Sequence, residues 1–390
     1  MPGPSAFDGV VIAGYGQSPY HKRGHRHPLW YVAEAIRRAL ASAAVKKSAV
    51  DGLAVTSFQM PPDNATTVAE HLGFAVRWVF QGIHGGASGI ISILSAARAI
   101  QHGDAEVVVC VAADAFDVAQ HMDLMDRFNV SMRDYVACYG FGGANGLFAL
   151  VEQRHRHEYG TTREQLGSLA VTQRRHAMLN PNALLRTPLT LEEYLTARPI
   201  ALPIRLYDCV LPCGGGDAVV LMSEERARLR NVPLVRILAG GQRHNHRPEE
   251  VVVLKQGWEA YRDQLWADAG LGPEDVDIVE LYDDYPIMEV IQFEDLGFCQ
   301  KGEGGPWCAV RDLSIAGRPA LNTGGGQLSA GQAGAAGGMI GVVEAISQLR
   351  GDAGARQVSG ARTALCSGFG MVAYGRGLST SAAVLQAARQ

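Results

Sequence analysis

At 390 residues the chain is too long for a single ordinary core, so two domains or two halves of a duplicated fold are expected. A hydrophobic share of 47% against 19% charged residues describes a globular chain, and a net charge of -4 with scattered Lys and Arg gives no electrostatic reason to expect nucleic acid. The opening MPGPSAFDG has neither a basic segment nor a long apolar one, and no run approaches about 18 apolar residues, so neither export nor a membrane span is expected.

In chain order, residues 9–14 read as a strand, followed by a polar loop in which His21, His25 and His27 read as solvated side chains rather than a metal site. Helical periodicity over 29–44 (Leu29, Val32, Ala33, Ile36, Leu40) precedes an apolar strand over 50–58, giving a β, α, β order. A helix at 66–72, a short strand at 76–80 and a glycine turn at 82–89 lead into a helix at 90–102. The run 106–113 is almost unbroken apolar sequence, as in a strand buried on both faces. From 116 to 145 no clean period survives, which reads as an excursion over the surface or over a substrate site. Helices resume over 146–159 and 162–178, a Pro-punctuated connector fills 181–204, and 206–223 supplies a glycine turn and a strand. A strand at 233–241 opens the second half, and 251–270 is expected to be helical. The expected division is therefore 1–232 and 233–390, with a loop region over about 116–204 in the first half.

The seven cysteines are odd in number and mostly set in apolar or Gly-rich sequence, which fits a reducing cytoplasm, and Cys209/Cys213 lack the partners of a zinc site. The 46 glycines are more informative because they cluster. Shifted by 248 positions, GGASGIISILSAARAIQHGDA lies against AGAAGGMIGVVEAISQLRGDA. Gly86 meets Gly334, Gly89 meets Gly337, Ala97 meets Ala345, and 103–105 meets 351–353. Each block runs glycine turn, small-residue helix, Gly-Asp turn and strand, the second strand at about 356–366, so the chain reads as a duplicated α/β fold. Two glycine turns at helix N-termini would present free N–H groups to an anion or a developing oxyanion.

The chemistry concentrates in 280–338. An apolar run, 276–281, ends in Tyr282, Asp283, Asp284 and Tyr285, and Pro286 suits the first position of a helix. Strand ends of this kind carry ligands in open α/β sheets. A tyrosine with an ordinary pKa near 10 beside an aspartate is a natural acid, which points to Tyr282 with Asp283, while Asp284 or Tyr285 could instead cap the following helix. Cys366, beside several glycine N–H groups, reads either as an acid/base or nucleophile of lowered pKa or as a small buried side chain. His84, flanked by glycines at the other turn, could face a ligand. The glycine runs match neither a P-loop nor GxGxxG.

Taken together, the duplicated half, the Ala-Ser-Gly turn at 87–89, PIRLYDCVLPCGGGDAVVL, ELYDDYP, NTGGGQLSAGQAGAAGG and the final CSGFG resemble the thiolase superfamily over essentially the whole chain. The nearest branch is the sterol carrier protein-type thiolases and the thiolase-like steroid side-chain-cleaving aldolases. The resemblance implies a five-layer αβαβα fold, a homodimer and an acyl-coenzyme A substrate with no further cofactor. The departures are specific. Gly86 stands where thiolases carry their nucleophilic cysteine, Gly331-Gln332-Ala333 replaces Gly-His-Pro, Tyr282-Asp283-Asp284-Tyr285 replaces Asn-Glu-Ala-Phe or His-Asp-Cys-Phe, and only Cys366 is kept. With no nucleophile for an acyl-enzyme, the implied reaction is retro-aldol cleavage of a 3-hydroxyacyl-coenzyme A, with a steroid or similar bulky side chain as the substrate the resemblance implies. The enolate would be held by Gln332, by His84, or by the glycine amides of the two turns, and Gly86, Gln332, Gly334, Gly368 and Gly370 are the candidates for binding the substrate or its coenzyme A. Some aldolases of the branch carry a tyrosine in the loop where Gln332 stands. A thiolase-like acyltransferase using Cys366 and a non-catalytic acyl-coenzyme A carrier are the alternatives. Members of the branch often work with a small partner combining a zinc ribbon and an OB-fold.

Overall fold

The computed structural model describes residues 6–60, 65–126, 129–140 and 143–388. The first half opens with β1 (Val10–Gln17), α1 (Pro28–Ser42), β2 (Gly52–Thr56), α2 (Ala65–Leu72), β3 (Trp78–Gln81), α3 (Ser88–Gln101) and β4 (Val107–Ala115). An excursion then carries α4 (Val118–Asp126), α5 (Gly143–Tyr159), α6 (Arg163–Leu179), α7 (Leu191–Thr196) and the hairpin β5 (Pro199–Ala201) and β6 (Ile204–Arg205), before β7 (Gly214–Ser223) and α8 (Glu224–Arg228). The second half follows as β8 (Val235–His244), α9 (Arg262–Ala269), β9 (Ile278–Glu280), α10 (Pro286–Asp295), α11 (Gly304–Val310), β10 (Ala320–Leu321), α12 (Gly337–Arg350), β11 (Thr363–Ala373) and β12 (Arg376–Ala387). No helix among the described residues is long and apolar enough to cross a membrane.

Ten of these strands form one sheet in the order β10-β9-β11-β12-β8-β1-β7-β4-β2-β3. The order reads the same from both edges once β1 is equated with β8, β2 with β9, β3 with β10, β4 with β11 and β7 with β12. The halves meet at an antiparallel seam of two residue pairs, Val11 with Arg236 and Ile12 with Val235. Side-chain alternation builds the layers. Along β4, Val107, Val109 and Val111 pack with Val32 and Ile36 of α1, whereas Val108, Cys110 and Ala112 pack with Ile90 and Leu94 of α3. In the other half, Leu365 and Phe369 face Met288 and Ile291 of α10, whereas Ala364 and Cys366 join the central core with Met339 and Val342 of α12. The order across the molecule is therefore helix, sheet, the α3/α12 pair, sheet, helix: five layers.

The α3/α12 pair crosses on glycine. A Cβ at Gly89 would overlap the Gly338 carbonyl, and one at Gly338 would overlap the Gly86 carbonyl. Only residues without side chains permit that approach at 89 and 338.

Three expectations are corrected. Gly214–Gly216, read as a turn, lie inside β7, where Cβ atoms would collide with Tyr31, Tyr20 and Ala113, so these glycines serve close packing. Only Arg262–Ala269 of the stretch 251–270 is α-helical; its first part is laid against β11 and β12 by Val252 and Val253 amides bonded to Tyr374 and Gly375 carbonyls and by Trp258 Nε1 donating to Ser381 O at 3.0 Å. The closing strand β11 runs later than expected, through CSGFG, because its glycines are paired with β12. In the N-terminal loop, His27 accepts from the Leu29 amide at 3.2 Å and so caps α1.

Candidate active site

Strand β9 delivers the chemistry-bearing run 282–285 to the end of the sheet, and polar side chains fix its backbone. Asn322 accepts from the Leu281 amide at 2.7 Å, while the Tyr282 amide donates to Ser367 Oγ at 3.0 Å and Gln292 Nε2 donates to the Tyr282 carbonyl at 2.8 Å. Pro286 then begins α10, where its missing N–H costs nothing.

These restraints aim the Tyr282 ring at the turn that opens α3. A Cβ at Gly86 would overlap Tyr282 Cε2, Cζ and Oη. The phenol thus fills the space a side chain at 86 would need. Both residues line a cavity of about 70 Å³, together with Asp284, Tyr285, Gln332, His121, Phe148, Phe369 and Gly370. The cavity gives a reacting group room beside these side chains.

The two aspartates differ in their surroundings. Asp283 accepts from the Gln327 amide at 2.8 Å and the Leu328 amide at 3.0 Å, anchoring the loop that leads to Gln332. Burial raises its carboxyl to about 7 against the pull of those amides. Asp284 instead lines the cavity, and burial with the neighbouring Asp283 holds its carboxyl well above the usual range. The capping alternative fails for both candidates, because Tyr285 occupies the cap position of α10 with no side-chain capping bond and Asp284 reaches only the Tyr285 amide at 3.1 Å. The Tyr285 hydroxyl donates to Asn145 Oδ1 at 2.6 Å and its ring stacks on Phe148 with centroids 4.3 Å apart. Burial, with Asp284 adding to it, raises the Tyr282 phenol above its ordinary value; burial, then Cys209 and Asp284, does the same for Tyr285. Both tyrosines are therefore neutral phenols, able to donate.

Gln332 is 7% exposed, and its Oε1 has no hydrogen-bond partner among the described residues. Its backbone is pinned by donation to Leu211 O at 2.8 Å and acceptance from Cys213 N at 3.0 Å, so the side chain projects from a fixed point. Gln327, 1% exposed, likewise leaves both side-chain amide atoms without a hydrogen-bond partner among the described residues. Buried amides without partners are costly in a folded protein and mark a place where a ligand completes the bonding.

The remaining sequence candidates divide. Gly370 lines the cavity and, like Gly368, lets β11 approach the backbone of 84–87. Gly334 does not line it. Its turn is filled by Asp114, which accepts from the Ala335 amide at 2.7 Å, so this second glycine turn does not offer the free N–H groups expected of it. His84 faces His244, with ring centroids 5.1 Å apart, and burial followed by His244 lowers its pKa. Cys366 packs in the central core, and burial, with Glu280 beside it, raises its thiol well above the usual value, the reverse of the expected lowering. Neither residue is on the cavity wall. Asp284, read as either a site or a capping residue, is on the cavity wall, whereas His121 was missed, the aperiodic excursion at 116–145 being its only signal.

Comparison with known proteins bears on this geometry. Residues 241–386 match the family model described as thiolase C-terminal domain-like. The chain is 34% identical to the 17-hydroxy-3-oxo-4-pregnene-20-carboxyl-CoA lyase of Mycobacterium tuberculosis, covering 96% of this chain and 98% of that protein. It is 32% identical to the steroid side-chain-cleaving aldolase of Thermomonospora curvata, covering 90% and 91% respectively. Among solved structures, the Ltp2-ChsH2(DUF35) aldolase superposes with a TM-score of 0.84 at 31% identity, covering 98% of each chain.

Proposed function

The chain belongs to the thiolase superfamily, in the branch of the steroid side-chain-cleaving aldolases, and on that premise we propose that it cleaves a 3-hydroxyacyl-coenzyme A by a retro-aldol reaction without a covalent acyl-enzyme. The observation that carries this reading is the Tyr282 ring in the space that a nucleophile at Gly86 would need. A phenol in that position can supply a proton but forms no thioester. The β-hydroxyl gives its proton to a general base, the bond between the β- and α-carbons breaks, and its electrons pass into the thioester as an enolate, the base later returning that proton to the Tyr282 phenolate. Tyr282 then protonates the α-carbon. Gln332, through Nε2 rather than its unpartnered Oε1, and the backbone amides around Gly86 hold the enolate oxygen, where a low dielectric strengthens each bond. Asp283 and Tyr285 keep the loop and the wall in place. An acyltransferase route through Cys366 is opposed by its raised thiol and its position in the core.

The reaction needs no cofactor beyond the coenzyme A of its substrate. A bulky, steroid-like β-substituent fits the names of the relatives. The edge strand β3, with Val79 41% exposed, supports assembly as a homodimer, and the solved Ltp2-ChsH2(DUF35) aldolase supports a small zinc-ribbon and OB-fold partner. Seven free thiols fit the cytoplasm.

The test uses the thioester that the mycobacterial relative's name specifies, given to the purified protein alone and with the zinc-ribbon/OB-fold protein of its own genome. Release of a 17-ketone and propionyl-coenzyme A is expected, and Tyr282→Phe should lower kcat by about 10²–10⁴-fold. Absence of cleavage in both preparations, or an undiminished rate in Tyr282→Phe, sinks the reading.

A further inference from the structure

Glycine is the usual occupant of a left-handed backbone position, because a side chain there crowds the following carbonyl. The hairpin that joins β11 to β12 departs from this twice. Tyr374 has φ +53° and Gly375 φ +70°, and the pair closes the hairpin between Ala373 and Arg376. Short hairpin turns need positive φ at both central positions, so the turn itself accounts for Tyr374. Met371, at φ +57°, lies inside β11 between the paired residues Gly370 and Val372, where no turn requires it.

The consequence shows in the way the strand faces. Phe369 and Val372 are three residues apart and belong on opposite faces of a regular strand. Both nevertheless join the core on the α10 side with Tyr282 and Met288, because the left-handed residue between them turns the chain over. As a result Phe369, Gly370, Met371 and Val372 all line the cavity beside Tyr282. Glycine at 371 would hold that backbone with less strain, and β11 uses glycine just before it, at 368 and 370. A methionine at a strained position on a cavity wall marks a side chain with a task there.

The surroundings say which task. Met125 and Met132 from the excursion, with Phe148 from α5, complete the wall that Phe369, Met371 and Val372 begin, whereas Tyr282, Asp284 and Gln332 supply the polar groups. A wall of thioethers and aromatic rings offers close contact to a hydrocarbon and no strong hydrogen bond to the amides of a pantetheine arm. Unbranched methionine side chains also adjust to a large, curved apolar group better than branched ones do.

We propose that Met371 is a specificity-determining residue, its thioether packing on the apolar substituent of the β-carbon and so selecting acyl groups that carry a bulky ring system there. The assignment rests on the retro-aldol reading and adds to it the side chain that reads the substituent.

The experiment measures kcat and KM of wild type, Met371→Gly, Met371→Leu and Tyr374→Gly with 17-hydroxy-3-oxo-4-pregnene-20-carboxyl-CoA, in the preparation that cleaves it. A ring-free analogue, bearing the same tertiary alcohol and α-methyl group and yielding acetone and propionyl-coenzyme A, is run beside it as a substrate or, where cleavage is too slow, as a competitive inhibitor. Met371→Gly keeps the backbone conformation and removes only the side chain. It should lower kcat/KM for the steroid thioester at least about tenfold, mainly through KM, and change the analogue's kcat/KM or Ki by less than about twofold. Met371→Leu, apolar and of similar volume, should keep the wild-type preference within about threefold. Tyr374→Gly relieves the same backbone strain away from the cavity and should leave both values per folded molecule within about twofold of wild type. A Met371→Gly enzyme within about twofold of wild type on the steroid thioester overturns the proposal. So does an equal loss on the analogue or in Tyr374→Gly, because either would mark a disturbed hairpin rather than a lost contact. Should Met371→Gly fail to fold, Met371→Ala carries the same comparison. A wild type that cleaves nothing counts against the retro-aldol reading instead, so the two failures are told apart.

Discussion

The two glycine turns of the duplicated fold occupy corresponding positions and have opposite fates. The turn at 82–89 opens α3 onto the cavity, and the space beside Gly86 is taken by the Tyr282 ring. The turn at 331–338 opens α12, and the space beside Gly334 is taken by the Asp114 carboxyl, which also accepts from Ser57 Oγ at 2.6 Å and from the Phe58 and Gln59 amides at 3.0 Å. One turn meets a phenol facing the cavity; the other meets a carboxylate from the opposite half that ties the halves together. Duplication thus produced two equivalent anion-ready turns, and the side chain opposite each decides whether it serves chemistry or stability.

Single methyl groups break the comparison most directly. Gly86→Ala drives a Cβ into the Tyr282 ring, and steady-state kinetics should show at least about a 10²-fold loss of kcat from displacement of the phenol. Gly334→Ala places a side chain at φ +54° against Asp114; denaturant unfolding should show a loss of about 1–3 kcal/mol, with kcat per folded molecule nearly unchanged. If the two variants failed in the same way, the division of labour would not hold.

Asp283 offers a subtler test. Its folded-state pKa, about 7, is raised above the ordinary 3.8, so its contribution to stability is full below the unfolded value and is lost as pH rises through 7. Asp283→Asn lacks that titration. The stability advantage of wild type over the variant should therefore shrink by more than about 1 kcal/mol between about pH 5 and about pH 8 in paired thermal melts. The smallest effect is expected at Cys366. Cys366→Ala should cost about 1 kcal/mol, leave cleavage almost intact, and remove no acyl adduct detectable by mass spectrometry.

Much of this arrangement was legible in the sequence. The order of strands and helices, the glycine blocks and the strand-end run 282–285 depend on local periodicity and on glycine placement, both of which are written along the chain. The split between Asp283 and Asp284 was not, because adjacent side chains on a turn point in directions fixed by tertiary packing, here by the Gln327 and Leu328 amides. The raised thiol of Cys366 was hidden for a similar reason. Neighbouring glycine amides suggested a lowered pKa, but the alternation along β11 turns Cys366 into the central core. His121 was hardest to see, since a segment wrapped over a cavity has no single apolar face and hence no period.

The contact between Gly86 and Tyr282 also constrains history. A chain with any side chain at position 86 has no room for the tyrosine, whereas glycine at 86 tolerates smaller residues at 282. An ancestor that carried a nucleophile could therefore reach the present pair through loss of the nucleophile first, and the reverse order would have passed through a clash. For the same reason a cysteine restored at 86 alone meets the ring and cannot re-create the older chemistry; reversal requires both positions to change together.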